Sequence, residues 1–197
     1  MSPTELVAGL TFIEEIDRLK GIIRQTFLHD ASRQENTAEH SWHLAMATLV
    51  MAPLSDEPID TARAMKMALL HDVVEIDAGD TFIYDVVGTL DKEAREKKAA
   101  DRLFGLLPSP LNTELRGIWD DFEKQSCPES RFVTALDRML PILANSRSGG
   151  GSWKKHGILK SQAVEKNNKI AKGSKKLWAF SSGLIEDAVR KGYLVDR

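Results

Sequence analysis

Two carboxylates in this chain stand where a helix would be expected to bury hydrocarbon. Asp72 follows His71 at the end of the apolar stretch MKMALL, and Asp137 lies in FVTALDRMLPIL among Leu136, Met139 and Leu140. A buried, unpaired carboxylate costs several kcal/mol unless a cation or a donor compensates it. A fold that accepts both positions must therefore bring them a cation. Arg138 projects about 100° away from Asp137 on a helix and is a poor partner for it, though it could pair with some other acid. A divalent ion supplies the compensation more directly.

The segments around these residues have helical period. Leu10, Ile13, Ile16, Leu19 and Ile23 predict an amphipathic helix from about Thr4 to Thr26, followed by the polar connection HDASRQEN. Asn36 and Glu39 have capping-box spacing and start a helix near Thr37 that runs to about Met51. Asp60 or Thr61 caps the next, which carries Ala64, Met67, Ala68, Leu70 and His71 and ends near Gly79. Residues 81–90 read as irregular, with the β-rich fragment TFIYDVV. A charged helix is expected from Asp91 to about Phe104, two more over 111–125 and 128–147, a flexible SGGGS loop at 148–152, and one or two helices from Ser161 onward. The βαβ units that a parallel sheet needs are missing, so the expectation is an all-α helical bundle. We expect one domain over residues 1–197, with 154–197 as a C-terminal helical extension packed on it.

Composition narrows the function. A formal net charge of −2 argues against a polyanion-binding protein, and no aromatic platform or groove-reading motif supports a nucleic-acid partner. The lone Cys127 allows no intrachain disulfide and no Cys-rich metal site. The N-terminal residues lack a basic region ahead of a long apolar stretch, and no run reaches ~18 apolar residues, so neither a membrane span nor a signal peptide is expected and the cytoplasm is the default location. H-E-x-x-H, the P-loop and the G-x-S-x-G elbow are all absent.

There are five histidines, and two of them sit in informative surroundings: His40 in TAEHSWH and His71 in MALLHDVVE. His40, an HD pair thirty-one positions later and an apolar-framed Asp sixty-five positions after that form the pattern H…HD…D. It resembles the HD-domain superfamily. The segments RQENTAEHSWH, ALLHDVVEIDAGD and ALDRMLPILANS, followed by GGGSWKKHGI, are similar to the branch that contains bacterial 5′-deoxynucleotidases, over roughly residues 15 to 170. The resemblance implies the superfamily's helical core and a metal held by His40, His71, Asp72 and Asp137. Two imidazoles and two carboxylates suit a borderline or moderately hard divalent ion (Mn, Co, Mg, Zn, Fe or Ni) and leave positions open for water and substrate. His29 and His156 have no acidic neighbours placed for a second site except Asp30, so one metal per chain is expected.

Glu75 lies four positions after His71 and shares its helical face, which lets it reach toward water at the metal without being a ligand. The resemblance gives the matching Glu a part in handling the nucleophilic water, and places Asp80 at the active site as an acid or a contact to a substrate hydroxyl. Asp77 points elsewhere and is expected to be solvated. A phosphoester also needs positive charge from the protein. Arg24, on the first helix after LKGII, is the candidate that the resemblance supports. An aromatic residue follows that Arg in the deoxynucleotidases, whereas Gln25 follows it here. Arg33 is a secondary candidate. His43 is expected to be a packed histidine or a neighbour of His40, and Trp42 a core residue. From Lys154 to Lys176 there are eight Lys and one Glu, Glu165, which read as a solvated helical face or as a positive rim that draws in phosphorylated substrates.

The leading expectation is a metal-dependent phosphohydrolase, a 5′-deoxynucleotidase that releases phosphate from nucleoside monophosphates. The alternatives are an HD-type triphosphohydrolase or phosphodiesterase, and a non-catalytic, metal-stabilised nucleotide-binding module. The branch resemblance also implies a homodimer, held by helix faces that a bundle of this size leaves uncovered.

Overall fold

The computed structural model describes residues 2–196. Helix α1 (Pro3–Asp17) opens on a capping box in which the Ser2 hydroxyl accepts from the Glu5 amide and the Glu5 carboxylate accepts from the Ser2 amide, with Pro3 in the first turn. The helix expected to reach Thr26 stops at Asp17. A 3-10 turn over Arg18–Gly21 redirects the chain into strand β1 (Ile23–Phe27), which pairs antiparallel with β2 (Gln34–Asn36), Ile23 facing Asn36 and Phe27 facing Gln34. Gly21 weakens the helix, and the β-branched Ile22, Ile23 and Thr26 favour extended backbone. Arg24 is therefore a strand residue, and the polar connection after it is half of a hairpin.

Asn36 then caps α2 (Thr37–Met51) with the expected box, its side chain accepting from the Glu39 amide while the Glu39 carboxylate accepts from the Asn36 amide. Asp60 caps α3 (Thr61–Leu70), accepting from the Arg63 amide. Past Leu70 the helix tightens. The amides of Val73, Glu75 and Ile76 donate to carbonyls three residues back, at 3.2, 3.0 and 3.3 Å, before the short α4 (Glu75–Ala78) ends at Gly79 with φ +75°. Three-residue turns shift the side chains relative to a continuous α-helix and carry Glu75 into the interior.

After the irregular segment 79–91 come α5 (Lys92–Phe104), α6 (Leu111–Lys124) and α7 (Pro128–Arg147). Helix α7 is central: it touches α2, α3, α6, β1 and the C-terminal elements. Pro141 lies inside it, so the carbonyl four residues back, that of Asp137, has no helical donor. The triglycine region is a hydrogen-bonded turn, not an open loop. Gly149, Gly150 and Gly151 all have positive φ, the Gly150 amide donates to the Asn145 carbonyl, and the Asn145 side chain accepts from the Ser152 hydroxyl and the Trp153 amide. The chain closes with α8 (Gly151–His156), α9 (Lys160–Asn167), a 3-10 turn over Asn168–Lys172 and α10 (Lys175–Arg190), which packs along α7.

Two apolar clusters hold these elements. Leu44, Met67, Phe132, Leu136, Ile142, Trp153, Ile170 and Ile185 join α2, α3 and α7 to the C-terminal helices. Phe12, Val73, Val74, Leu103, Phe104 and Trp119 join α1, the turn after α3, α5 and α6. Trp42, expected in the core, is 62% exposed, because position 42 falls on the outer face of α2 with Met46, Leu49 and Val50. Among the described residues no helix is long and apolar enough to cross a membrane.

Gly173 marks the closest approach between backbones: a Cβ there would run into the Arg131 carbonyl and the Phe132 backbone of α7. Gly183, on the exposed side of α10, has open space around it. Gly173→Ala should therefore lower unfolding stability by about 1–3 kcal/mol. Gly183→Ala should leave it unchanged or raise it by up to about 1 kcal/mol. Urea denaturation of the two variants beside wild type checks both.

Candidate metal centre

Four ionisable side chains from α2, the end of α3 and α7 meet at one point. His40 Nε2 is 3.0 Å from Asp137 Oδ1 and 3.9 Å from Asp72 Oδ2. His71 Nε2 is 2.9 Å from Asp72 Oδ2 and 3.8 Å from Asp137 Oδ1. The candidate ligand atoms of His40, His71 and Asp72 lie within 4.8 Å of one another. Both imidazoles are buried. His71 Nδ1 bonds to the Ala68 carbonyl at 2.9 Å, whereas His40 Nδ1 makes no hydrogen bond and has only the Glu35 carboxylate near it, at 3.6 Å. The Ala68 contact fixes the His71 ring with Nε2 toward the cluster. The Trp119 indole donates to the His71 carbonyl, which fixes the backbone there.

The donor set fits a divalent ion. His71 Nε2 is buried and close to Asp72, yet it makes no hydrogen bond; with the Nδ1 proton given to the Ala68 carbonyl, Nε2 of the neutral ring offers a lone pair, as a metal ligand does. Ligands about 2.1 Å from a common ion lie about 3 Å apart, and the four contacts bracket that spacing. Two carboxylates sharing a buried site would repel without a cation between them.

The surrounding charges separate the carboxylates into two kinds. Burial pushes Asp72 up, but His71 and Arg24 outweigh it and hold its pKa well below the usual range. Burial likewise raises Asp137, and the bond to His40 with the charge of His71 brings it well below. Burial and Arg24 disfavour a charged His40, but Asp137 and Glu35 overcome them, so its pKa is raised. His71 is raised too, burial being outweighed by Asp72. Glu75 goes the other way: burial, with Asp72 and Asp80 nearby, pushes it up to about 9. Its carboxylate accepts from the Thr37 hydroxyl at 2.8 Å in a fully buried contact. Asp80 is also raised, mainly by burial.

Arg24 reaches this group from β1. Its Nη1 is 2.7 Å from Asp72, 3.5 Å from Asp80 and 3.9 Å from Glu75, while Nε has no hydrogen-bond partner. Burial works against its charge, and the surrounding carboxylates more than restore it. The strand that carries Arg24 is fastened by Gln34, whose side chain donates to the Arg24 carbonyl. Gln25, the next residue, accepts from Lys155 and faces His156. A cavity of about 410 Å³ opens on the cluster and is lined by Arg24, Asp72, Glu75, Asp80 and Asp137, and also by Phe82, Tyr84, Arg138, Lys166 and Lys169.

Other expected residues lie elsewhere. Arg33 does not line the cavity. It is exposed, and its fork is taken up by Glu39, at 2.6 and 2.9 Å. His43 packs near His29 and Trp42 and stays outside the cluster. Asp77 is exposed and away from the cluster, as expected, and pairs there with Arg102. Arg138 finds no acid within hydrogen-bond reach. Sequence reasoning missed Glu35 and Thr37, which sit in a segment read as polar linker and helix cap. The hairpin that buries Glu35 leaves only a three-residue strand as its signal.

Residues 16–178 match the family model of the HD domain. The chain belongs to the HD domain family. Among relatives of this HD-domain protein, the 5′-deoxynucleotidase HDDC2 of Bos taurus is 33% identical over 152 residues, covering 74% of this chain and 73% of that one. The protein of the same name from Danio rerio is 32% identical over 135 residues, covering 68% of this chain and 66% of its own length. A crystal structure of a protein described as a predicted metal-dependent phosphohydrolase, from Magnetospirillum magnetotacticum, superposes with a TM-score of 0.92 at 47% identity, over 97% of this chain and 96% of that one.

The raised pKa of Glu75 has a thermodynamic consequence in the metal-free protein. The folded chain holds this proton more tightly than the unfolded chain, whose carboxyl titrates near 4.5. The resulting stabilisation is complete below about 4.5 and is lost as the pH climbs toward about 9. The melting temperature of metal-free protein should therefore fall between pH 5 and pH 9, and Glu75→Gln should flatten that fall. Calorimetric scans of both proteins in chelator across this range check it.

Proposed function

We propose that this HD-domain protein is a metal-dependent phosphomonoesterase that releases phosphate from nucleoside 5′-monophosphates, with deoxynucleotides as the preferred class. The observation that carries the reading is the meeting of His40, His71, Asp72 and Asp137 behind a cavity that Asp72, Asp137, Glu75, Asp80 and Arg24 line. The relatives' names supply the substrate class, and Phe82 and Tyr84 supply aromatic surface in the same cavity. The four residues would hold one divalent ion, Mn, Co, Mg, Zn, Fe or Ni, and that ion supplies Lewis acidity toward water and a phosphoryl oxygen.

The chain's own groups do the rest. Thr37 fixes the Glu75 carboxyl, and the added charge of a divalent ion at the cluster would favour its carboxylate form, which orients the attacking water and accepts its proton as the new O–P bond forms. Asp80, with its raised pKa, donates a proton to the departing 5′ oxygen as the P–O bond breaks. Arg24 keeps the carboxylates in register and adds positive charge beside the phosphoryl group. The products are a nucleoside and orthophosphate. Among the described residues a single His/Asp group is placed to hold an ion, which favours this reading over a dinuclear phosphodiesterase.

Phosphate release from a panel of nucleoside mono- and triphosphates, with each of the six metals, tests the reading. Monophosphate turnover is expected in wild type. Asp72→Ala should abolish it, and Glu75→Gln should lower kcat by about 10²–10⁴-fold. Turnover that survives Asp72→Ala, or triphosphate as the released product, would reject it.

The same reading includes a homodimer. Trp42, Met46, Leu49 and Val50 lie at helical spacing on the outer face of α2, and all are exposed. Light scattering should give twice the mass of one chain, and Trp42→Glu with Leu49→Glu should bring it down to the monomer. A monomeric wild type at micromolar concentration would refute this part.

A further inference from the structure

Of the cations that line the cavity, two already have acidic partners. Arg24 is bonded to Asp72, and Lys92 lies 3.2 Å from Glu96. Arg138 has only a long ion pair and no hydrogen-bonded acid. Its Nε is buried without an acceptor, and the nearest carboxylate oxygen, Asp137 Oδ2, is 4.0 Å away. That oxygen is the one turned away from the imidazoles, since Asp137 Oδ1 makes the contacts to His40 and His71. Arg24 and Arg138 thus flank the cluster, one at each carboxylate.

Lys169 adds to the second side. It follows α9 in the 3-10 turn Asn168–Lys172, which Ile170 anchors against the core. It lines the same cavity, and no carboxylate pairs with it among the described residues. Burial and the charge of Arg138 push its pKa down, which sets the two cations in one field. Cations held together with no anion between them are suited to one that arrives.

The charge already present makes the same point. Arg24 and a divalent ion answer the carboxylates of the cluster, and a phosphate dianion brings two further negative charges. We propose that Arg138 and Lys169 form a second phosphate-holding pair on the Asp137 side of the cluster, which takes up the non-bridging oxygens of a phosphomonoester or of orthophosphate. The chemistry of the ligand rests on the phosphohydrolase reading. Arg138 offers a planar fork to two oxygens, and Lys169 a mobile point charge. The C-terminal Lys-rich segment would thereby contribute to the site through Lys169, an exposed residue at the cavity wall, which Lys166 also lines.

The test uses the full chain loaded with metal and titrates it with inorganic phosphate by calorimetry, with metal content measured on each sample. Arg138→Gln should weaken phosphate binding by about tenfold or more, with metal content unchanged. Arg138→Lys should recover part of it, which separates loss of charge from loss of fold. Lys169→Ala should weaken binding several-fold, and Lys172→Ala, outside the cavity, should leave it within about twofold. Phosphate binding that is undiminished in both Arg138→Gln and Lys169→Ala, or absent in wild type, overturns the proposal. If Arg138 controls phosphate binding but no nucleoside monophosphate is hydrolysed, this proposal stands and the nucleotidase reading falls. If hydrolysis is normal and Arg138→Gln binds phosphate as wild type does, the reverse holds.

Discussion

The structure turns on burying two carboxylates and two imidazoles within bonding distance of one another without letting them neutralise one another fully. Each helix that brings a member has a reason to hold its position. Helix α2 is locked at its start by the Asn36–Glu39 box, four residues before His40. The end of α3 is pinned by the Trp119 indole on the His71 carbonyl. Helix α7, with Asp137, is packed on several sides. Removing any one of the four leaves the others with an uncompensated charge in a low-dielectric interior, and that cost favours a cation at their centre.

Environment, more than residue type, then divides the acids. Asp72 and Asp137 face imidazoles and Arg24 and are held toward the ionised form. Glu75 and Asp80 are buried at the margin of the same charges and hold their protons more tightly. Carboxyls that keep a proton beside others that stay charged give one site both proton-holding and charge-bearing groups. The Thr37 hydroxyl tempers the rise at Glu75 by donating to its carboxylate, and the Glu35 carboxylate supports the charge of His40; both come from the short hairpin and the helix start that follows it.

Much of this was legible in the sequence because it rests on local rules. The caps at Asn36 and Asp60, the breaks at the prolines, and the apolar framing of Asp72 and Asp137 all act over a few residues. The H…HD…D spacing added the partners. What stayed hidden depends on non-local pairing. The segment around Arg24 has an apolar rhythm compatible with a helix, and only its pairing with Gln34–Asn36 decides for a strand. Arg33 and Arg138 show the same limit. Each is an arginine near the motif, but Glu39 bonds to one while the other has only a long contact to Asp137. Trp42 was misread because an outward helix face and a core face look alike until the neighbouring elements are placed.

Pro141 gives the site a mechanical property that the ligand list does not convey. By withholding a donor from the Asp137 carbonyl, it removes one rung of the ladder at the very residue whose carboxylate must meet two imidazoles. The Asp137 peptide is thus free of a hydrogen bond that its neighbours in α7 make, at the point where the helix meets the imidazoles.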